Sequence, residues 1–137
     1  DTRYVANAQV WADDIATKAR AKVEARLGTT DFHIELRLIG QNASFGPLET
    51  KASAPNEIGV TAIVTAPTEA RAEEIAKILN PYLLHPPLTH EEEQPTFAFL
   101  FSPPEMKRGA TYAFTLHHTM TLNDPMEAFR LEVHEHG

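Results

Sequence analysis

Residues 111–122 read TYAFTLHHTMTL, and this stretch carries the most regular pattern in the chain. Tyr112, Phe114, Leu116, His118, Met120 and Leu122 fall on one side of an extended backbone. Thr111, Thr115, His117, Thr119 and Thr121 fall on the other. An alternation of period two is the signature of a half-buried strand. Taking 111–122 as a strand decides the fold, because it adds a long, clearly patterned strand to whatever sheet the rest of the chain forms.

Working outward, Asp124-Pro125 reads as a turn, and Phe129, Leu131 and Val133 alternate with charged residues as a short edge strand. Upstream, residues 96–102 place Phe97, Phe99 and Phe101 on one face of a further strand that Pro103 and Pro104 end. Residues 88–95 are polar and acidic and read as a surface loop. Residues 68–80 suit a helix. Thr68 is its N-cap, and Glu69, Glu73 and Glu74 favour the positive end of its dipole. Ile75, Ile78, Leu79, Tyr82 and Leu83 supply its apolar face. Pro81 is expected to end or kink that helix near residues 79–80.

The first half repeats the order. In residues 6–27, Trp11, Ile15, Ala19, Val23 and Leu27 recur every four residues as one helical stripe. Gly28 is the expected left-handed stop. Residues 32–40 alternate Phe32, Ile34, Leu36 and Leu38 with polar partners. Residues 57–66 set Ile58, Val60, Ala62 and Val64 on one face. Between them, residues 42–56 form a loop long enough to suggest a functional role.

The order is α-β-β-α-β-β. It predicts a single α+β domain over residues 1–137, with an antiparallel or mixed sheet of four to five strands and two helices packed on one face. The predicted core is Trp11, Ile15, Val23, Ile34, Leu36, Val60, Val64, Ile75, Leu79, Phe99, Phe114 and Leu116. A buried Leu116 truncated to Ala is expected to cost about 2–5 kcal/mol.

Composition narrows the function classes. The 137 residues include no cysteine, which removes disulfides, thiolate metal sites and cysteine nucleophiles and fits a reducing cytoplasm, the expected compartment. Nineteen acidic against twelve basic residues give a net charge of -7, which opposes binding to nucleic acid. The basic stretch Lys18, Arg20, Lys22 and Arg26 reads as a solvated helix face. No apolar run reaches the ~20 residues of a membrane span. The first residues show no signal-peptide pattern, and the chain opens on Asp1 without Met, so it is expected to be the C-terminal part of a longer protein.

Three local motifs and a distal set resemble the acyclic terpene utilisation (AtuA-like) family. They are Phe45-Gly46-Pro47-Leu48-Glu49, Pro55-Asn56-Glu57-Ile58-Gly59-Val60, and Ala98-Phe99-Leu100-Phe101-Ser102-Pro103, followed by residues 112–118, Asp124-Pro125 and Phe129. Leu100 stands where the family pattern has proline, and Asn56 where histidine is commoner. The resemblance spans about residues 10–129. It implies a ferredoxin-like C-terminal domain behind a Rossmann-like domain, with a link to terpenoid acid and acyl-coenzyme A catabolism. It carries over no catalytic residue.

Candidate site residues follow from the motifs. Phe45, Gly46, Pro47, Glu49, Asn56, Glu57, Phe101, Ser102, Pro103 and His118 are the expected pocket or interface. His117 and His118 are adjacent on a strand and point to opposite faces, so they cannot chelate one ion together. His85 and His90 with Glu91, Glu92 and Glu93 offer a weak hard-cation cluster or a solvated acidic loop. His134 and His136 share a face that could take up a transition metal adventitiously. Ser44, Ser53 and Ser102 are the available hydroxyls, and none sits in a Gly-x-Ser-x-Gly elbow. Gly40, Gly46 and Gly59 are too scattered for a phosphate loop. No structural metal and no cofactor are expected.

Three functions remain. The first is an accessory or assembly domain that packs on a Rossmann-like domain or a partner subunit, with a homo-oligomer as the expected state. The second is a small enzyme on an acyl or terpenoid acid, its pocket formed by residues 45–57 and 101–105. The third is a small-ligand regulatory module. On the first reading the isolated domain folds and catalyses nothing.

Overall fold

The computed structural model describes residues 1–50 and 54–135. Helix α1 (Thr2–Ala6) leads into α2 (Ala8–Leu27), followed by strand β1 (His33–Ile39), a short 3-10 turn (Gly46–Leu48), strand β2 (Gly59–Thr65) and helix α3 (Glu69–Leu84).

The break between α1 and α2 is local chemistry. Asp1 caps α1 by accepting from the Arg3 amide at 2.8 Å. The Asn7 side-chain amide donates back to the Arg3 carbonyl at 2.8 Å, and its backbone leaves the helical region at φ -115°, ψ 18°. A side chain that satisfies the backbone itself competes with helix continuation. The helix predicted over 6–27 is α2, which starts two residues later at Ala8, and the short α1 ahead of it was not predicted.

The four-residue spacing of α2 buries Trp11, Ile15, Ala19 and Val23, and Ala8 and Ala12 join them. Gly28 closes the helix at φ 63°, its amide bonded to the Glu24 carbonyl at 3.0 Å. A side chain there would sit in a backbone region that L-residues avoid.

Strands β1 and β2 pair antiparallel, with Ile34 opposite Val64, Leu36 opposite Ala62 and Leu38 opposite Val60. The register puts the two expected apolar rows on one face, beneath α2 and α3. Ile34 and Leu38 are buried there, and Leu36, Ala62 and Val64 pack against them. From α3 come Ile75, Ile78 and Leu79. Thr68 caps α3 as expected, accepting from the Arg71 amide at 3.2 Å. Pro81 does not end it. The helix runs on to Leu84, because Tyr82 and Leu83 pack against the core and that gain outweighs one missing backbone donor.

The expected four-to-five-stranded, ferredoxin-like sheet is not what the chain forms. Among the described residues the sheet has two strands, β1 and β2. Residues 96–102, 111–122 and 129–133 are not strands. An alternating sequence fixes which side chains share a face, but a strand exists only where another backbone runs alongside to take its hydrogen bonds. Phe97 leaves its presumed stripe altogether. Its amide bonds the Leu84 carbonyl at 3.0 Å, and its ring meets Tyr4 and Trp11 edge-on at 5.4 and 5.6 Å.

Trp11, Ile15, Val23, Ile34, Ile75 and Leu79 are buried as predicted. Leu36 and Val64 are half-buried against them, and Phe99 is half-buried. Val60 lies at the open end of the ribbon and is exposed, and Phe114 and Leu116 are 91% and 74% exposed. The turn expected at Asp124-Pro125 forms, with the Met126 amide on the Asp124 side chain at 2.9 Å and the Glu127 amide on its carbonyl at 3.0 Å.

Candidate functional site

The chain leaves β1 at Gly40 (φ 99°), which lies close under the returning segment. A side chain at this position would come within 3.2 Å of the Glu57 carbonyl oxygen. The Gln41 and Asn42 amides both bond the Leu38 carbonyl at 3.1 Å, and the Gly46 amide bonds that of Asn42 at 3.1 Å. The Asn42 side chain donates to Gln9 of α2 at 2.7 Å, which ties the loop to the helix layer.

The result is an open groove of about 370 Å³ along β1, lined by Glu35, Leu36, Arg37 and residues 42–46. Of the predicted site residues, Phe45 and Gly46 line it. Pro47 and Glu49 continue the same turn, where the Glu49 amide bonds the Gly46 carbonyl at 3.1 Å. Asn56 and Glu57 are exposed on the returning segment. Phe101, Ser102, Pro103 and His118 are not among the residues that line the groove. Phe101 is exposed, the Ser102–Pro103 peptide is cis, and His118 is exposed in the segment after Thr111. Two of the predicted residues thus share a groove, and the 101–103 turn does not join them there.

The groove's charges satisfy one another. Arg37 grips Glu35 through two nitrogens at 2.8 and 3.3 Å. That hydrogen bond holds the Glu35 carboxyl below its ordinary range and raises the Arg37 guanidinium. A carboxylate so held does not donate a proton at neutral pH. Ser44 also lines the groove, whose one lining carboxylate, Glu35, is engaged by Arg37. A second hollow of about 450 Å³ lies at the other end of the ribbon, between residues 30–33, 65–67 and Thr111.

Two polar clusters escaped the sequence reading. Glu92 accepts from Arg3 at 2.8 Å and from the Tyr4 hydroxyl at 3.2 Å, and Trp11 donates to the Pro86 carbonyl at 3.0 Å. They pin residues 86–92 to the first two helices. On α3, Glu73 takes Lys77 at 2.8 Å and Lys107 at 3.0 Å, and Lys107 also reaches Glu69 at 3.1 Å. Hydrogen bonds first from Lys77 and then from Lys107 lower Glu73 to about 2. Asn80 bonds Glu105 one turn further on. The i,i+4 spacing of Glu73 and Lys77 was readable. Lys107 and Glu105, remote in sequence, gave no signal.

The basic stretch on α2 is exposed, and Lys18 pairs with Asp14 at 2.6 Å. His85 turns its ring to the Pro95 carbonyl at 3.2 Å. His134 stands 3.9 Å from Glu132. Ser53 and His136 lie outside the described residues. Among the described residues no three His, Asp or Glu side chains converge on a metal position, and no helix is long and apolar enough to cross a membrane.

Apart from the groove and the second hollow, residues 110–133 expose a run of large apolar side chains. Tyr112, Phe114, Leu116 and Met120 are 93%, 91%, 74% and 65% exposed, and Met126, Phe129, Leu131 and Val133 are exposed after them. No family model, curated protein or solved structure matches this chain.

Proposed function

We propose that this chain is an assembly module, and that residues 111–122, the arm, are its working part. One observation carries the reading. Tyr112, Phe114, Leu116 and Met120, four large apolar side chains within nine residues, are all exposed to water. Large apolar side chains exposed in such density favour an interaction site, the usual role of exposed apolar surface on a soluble domain. The chemistry of the groove favours the same reading, since its one carboxylate–guanidinium pair is closed on itself. The resemblance of its motifs to AtuA-like proteins suggests the partner class for such a module, a Rossmann-like domain or a subunit that carries one, with a link to terpenoid acid or acyl-coenzyme A catabolism.

The test is the native mass of the natural protein that contains this chain, isolated under gentle conditions, with limited proteolysis alongside. The expected result is an assembly of more than one domain or subunit in which residues 111–122 resist cleavage. A particle in which those residues are cut as fast as in a free peptide overturns the reading.

A further inference from the structure

We propose that the arm's partner is a second copy of this chain. Residues 111–122 of each copy add as a third strand to the outer edge of β2 in the other. The inference rests on the assembly reading and makes its partner specific.

Three observations carry it. The first is the edge. β2 pairs only with β1 among the described residues, so its far side offers a row of unpaired backbone groups. Open edges are templates for strand addition, and proteins usually blunt them with charge. β1 carries Glu35 and Arg37. β2 reads Gly-Val-Thr-Ala-Ile-Val-Thr, with β-branched side chains and no charge.

The second is charge. Residues 109–123 contain no Asp, Glu, Lys or Arg, in a chain of net charge -7. Two such chains repel wherever their acidic surfaces meet. Arm on β2 is a contact in which both sides are uncharged, so a second copy can form it without that repulsion.

The third is pattern and area. The arm alternates Tyr112, Phe114, Leu116 and Met120 with Thr111, Thr115 and Thr119. Laid beside β2, the apolar row continues the face formed by Ala62 and Val64, and the threonines continue the face of Thr61 and Thr65. An exposed aromatic side chain buries on the order of 150 Å². An arm with four large apolar groups and the strand it covers then hide about 1,000 Å² between them. Reciprocal exchange doubles this to about 2,000 Å², the area of a stable dimer interface. The exchange is two-fold symmetric and therefore closes. Thr111 lines the hollow beside Thr65 and Pro67, so the arm starts at the end of β2 and reaches a neighbouring sheet from there.

The experiment uses the whole chain, whose lack of cysteine permits single thiols to be placed at will. Molecular mass is measured by light scattering across a dilution series. One population carrying only Thr61→Cys is then mixed with another carrying only Thr115→Cys and treated with a short bismaleimide. The expected result is a dimer that yields the mixed crosslink in preference to either like-with-like product. Phe114→Asp should weaken dimerisation about 30-fold or more, the loss expected for an interface anchor. Its helical circular dichroism should stay unchanged, because Phe114 lies outside the core. A monomer at every concentration overturns the exchange. So does a dimer without the mixed crosslink, a dimer indifferent to Phe114→Asp, or a monomer in which the Thr61→Cys, Thr115→Cys double variant crosslinks within itself. If the chain alone is monomeric while the natural assembly still protects the arm, the exchange fails and the assembly reading stands with a different partner.

Discussion

Residues 8–39 and residues 108–135 have comparable apolar patterning and opposite fates. In the first region Ile15, Ala19 and Val23 are wholly buried. In the second the regularly spaced Tyr112, Phe114 and Leu116 stand in water. The difference is where each element finds its partners. A helix satisfies its own backbone, so a stripe on α2 needs only a surface to lie against. A strand satisfies its backbone only through a neighbour that the local sequence does not name. Patterning therefore predicts that a face exists. It does not say which chain, or which part of one, covers it.

This comparison can be broken most forcefully in the packed region. Ile15→Ala should lower stability by about 2–5 kcal/mol, read as a shift in the urea midpoint at constant slope. A loss below about 1 kcal/mol would mean that the helix layer is loosely packed and that the contrast is false.

A smaller effect is expected at the seam between the regions. Trp11→Phe keeps a ring beside Phe97 but removes the donor to the Pro86 carbonyl. The cost should be about 1 kcal/mol, with faster proteolytic cutting within residues 86–96. Unaltered cutting would show that this segment is held by apolar contact alone.

The next test is electrostatic. Glu73 should titrate at about 2 rather than its ordinary 4.5, followed by carboxyl carbon shifts in NMR. Its folded value is depressed, so the ties to Lys77 and Lys107 favour the native state above the unfolded value and are lost as pH falls through about 2. Lys107→Ala should move the midpoint part of the way back toward 4.5. A midpoint that ignores this change would detach residues 104–107 from α3.

The smallest expected effect draws the line most sharply. Leu116→Ala, measured at dilutions where the chain is monomeric, should change stability by less than about 0.5 kcal/mol. A cost of several kcal/mol would return Leu116 to a core and erase the distinction between the two regions.

Legibility in the sequence followed the same division. The helix 8–27, the strands 33–39 and 59–65 and the helix from residue 69 were readable within two residues at most ends, because each is bounded by a local signal such as Gly28, Gly40 or Thr68. The far end of α3 was not, because tertiary packing of Tyr82 and Leu83 overrode Pro81. Distal strands were misread because their alternation is real while their hydrogen-bond partners are not local. At the candidate site, the turn holding Phe45 and Gly46 was legible from glycine and proline. The Arg37 grip on Glu35 joins residues two apart on one strand face, a spacing the sequence displays. That Phe101 and His118 fail to join the groove depends on the course of the last third of the chain, which no short motif encodes.

The closed neck of residues 85–96 has a consequence for what the chain can accept by insertion. Leu84 and Phe97 meet through a backbone hydrogen bond, and His85 faces Pro95 beside it, so the loop begins and ends at one place. Its tip, around His90 and Glu91, is exposed. Lengthening a loop whose ends are already fastened costs only about 0.6 kcal/mol for each doubling. A reporter domain or an epitope spliced between His90 and Glu91 would open the turn between Thr89 and Glu92 but leave the Leu84–Phe97 neck closed, so the helices and the two-stranded ribbon would fold as they do now.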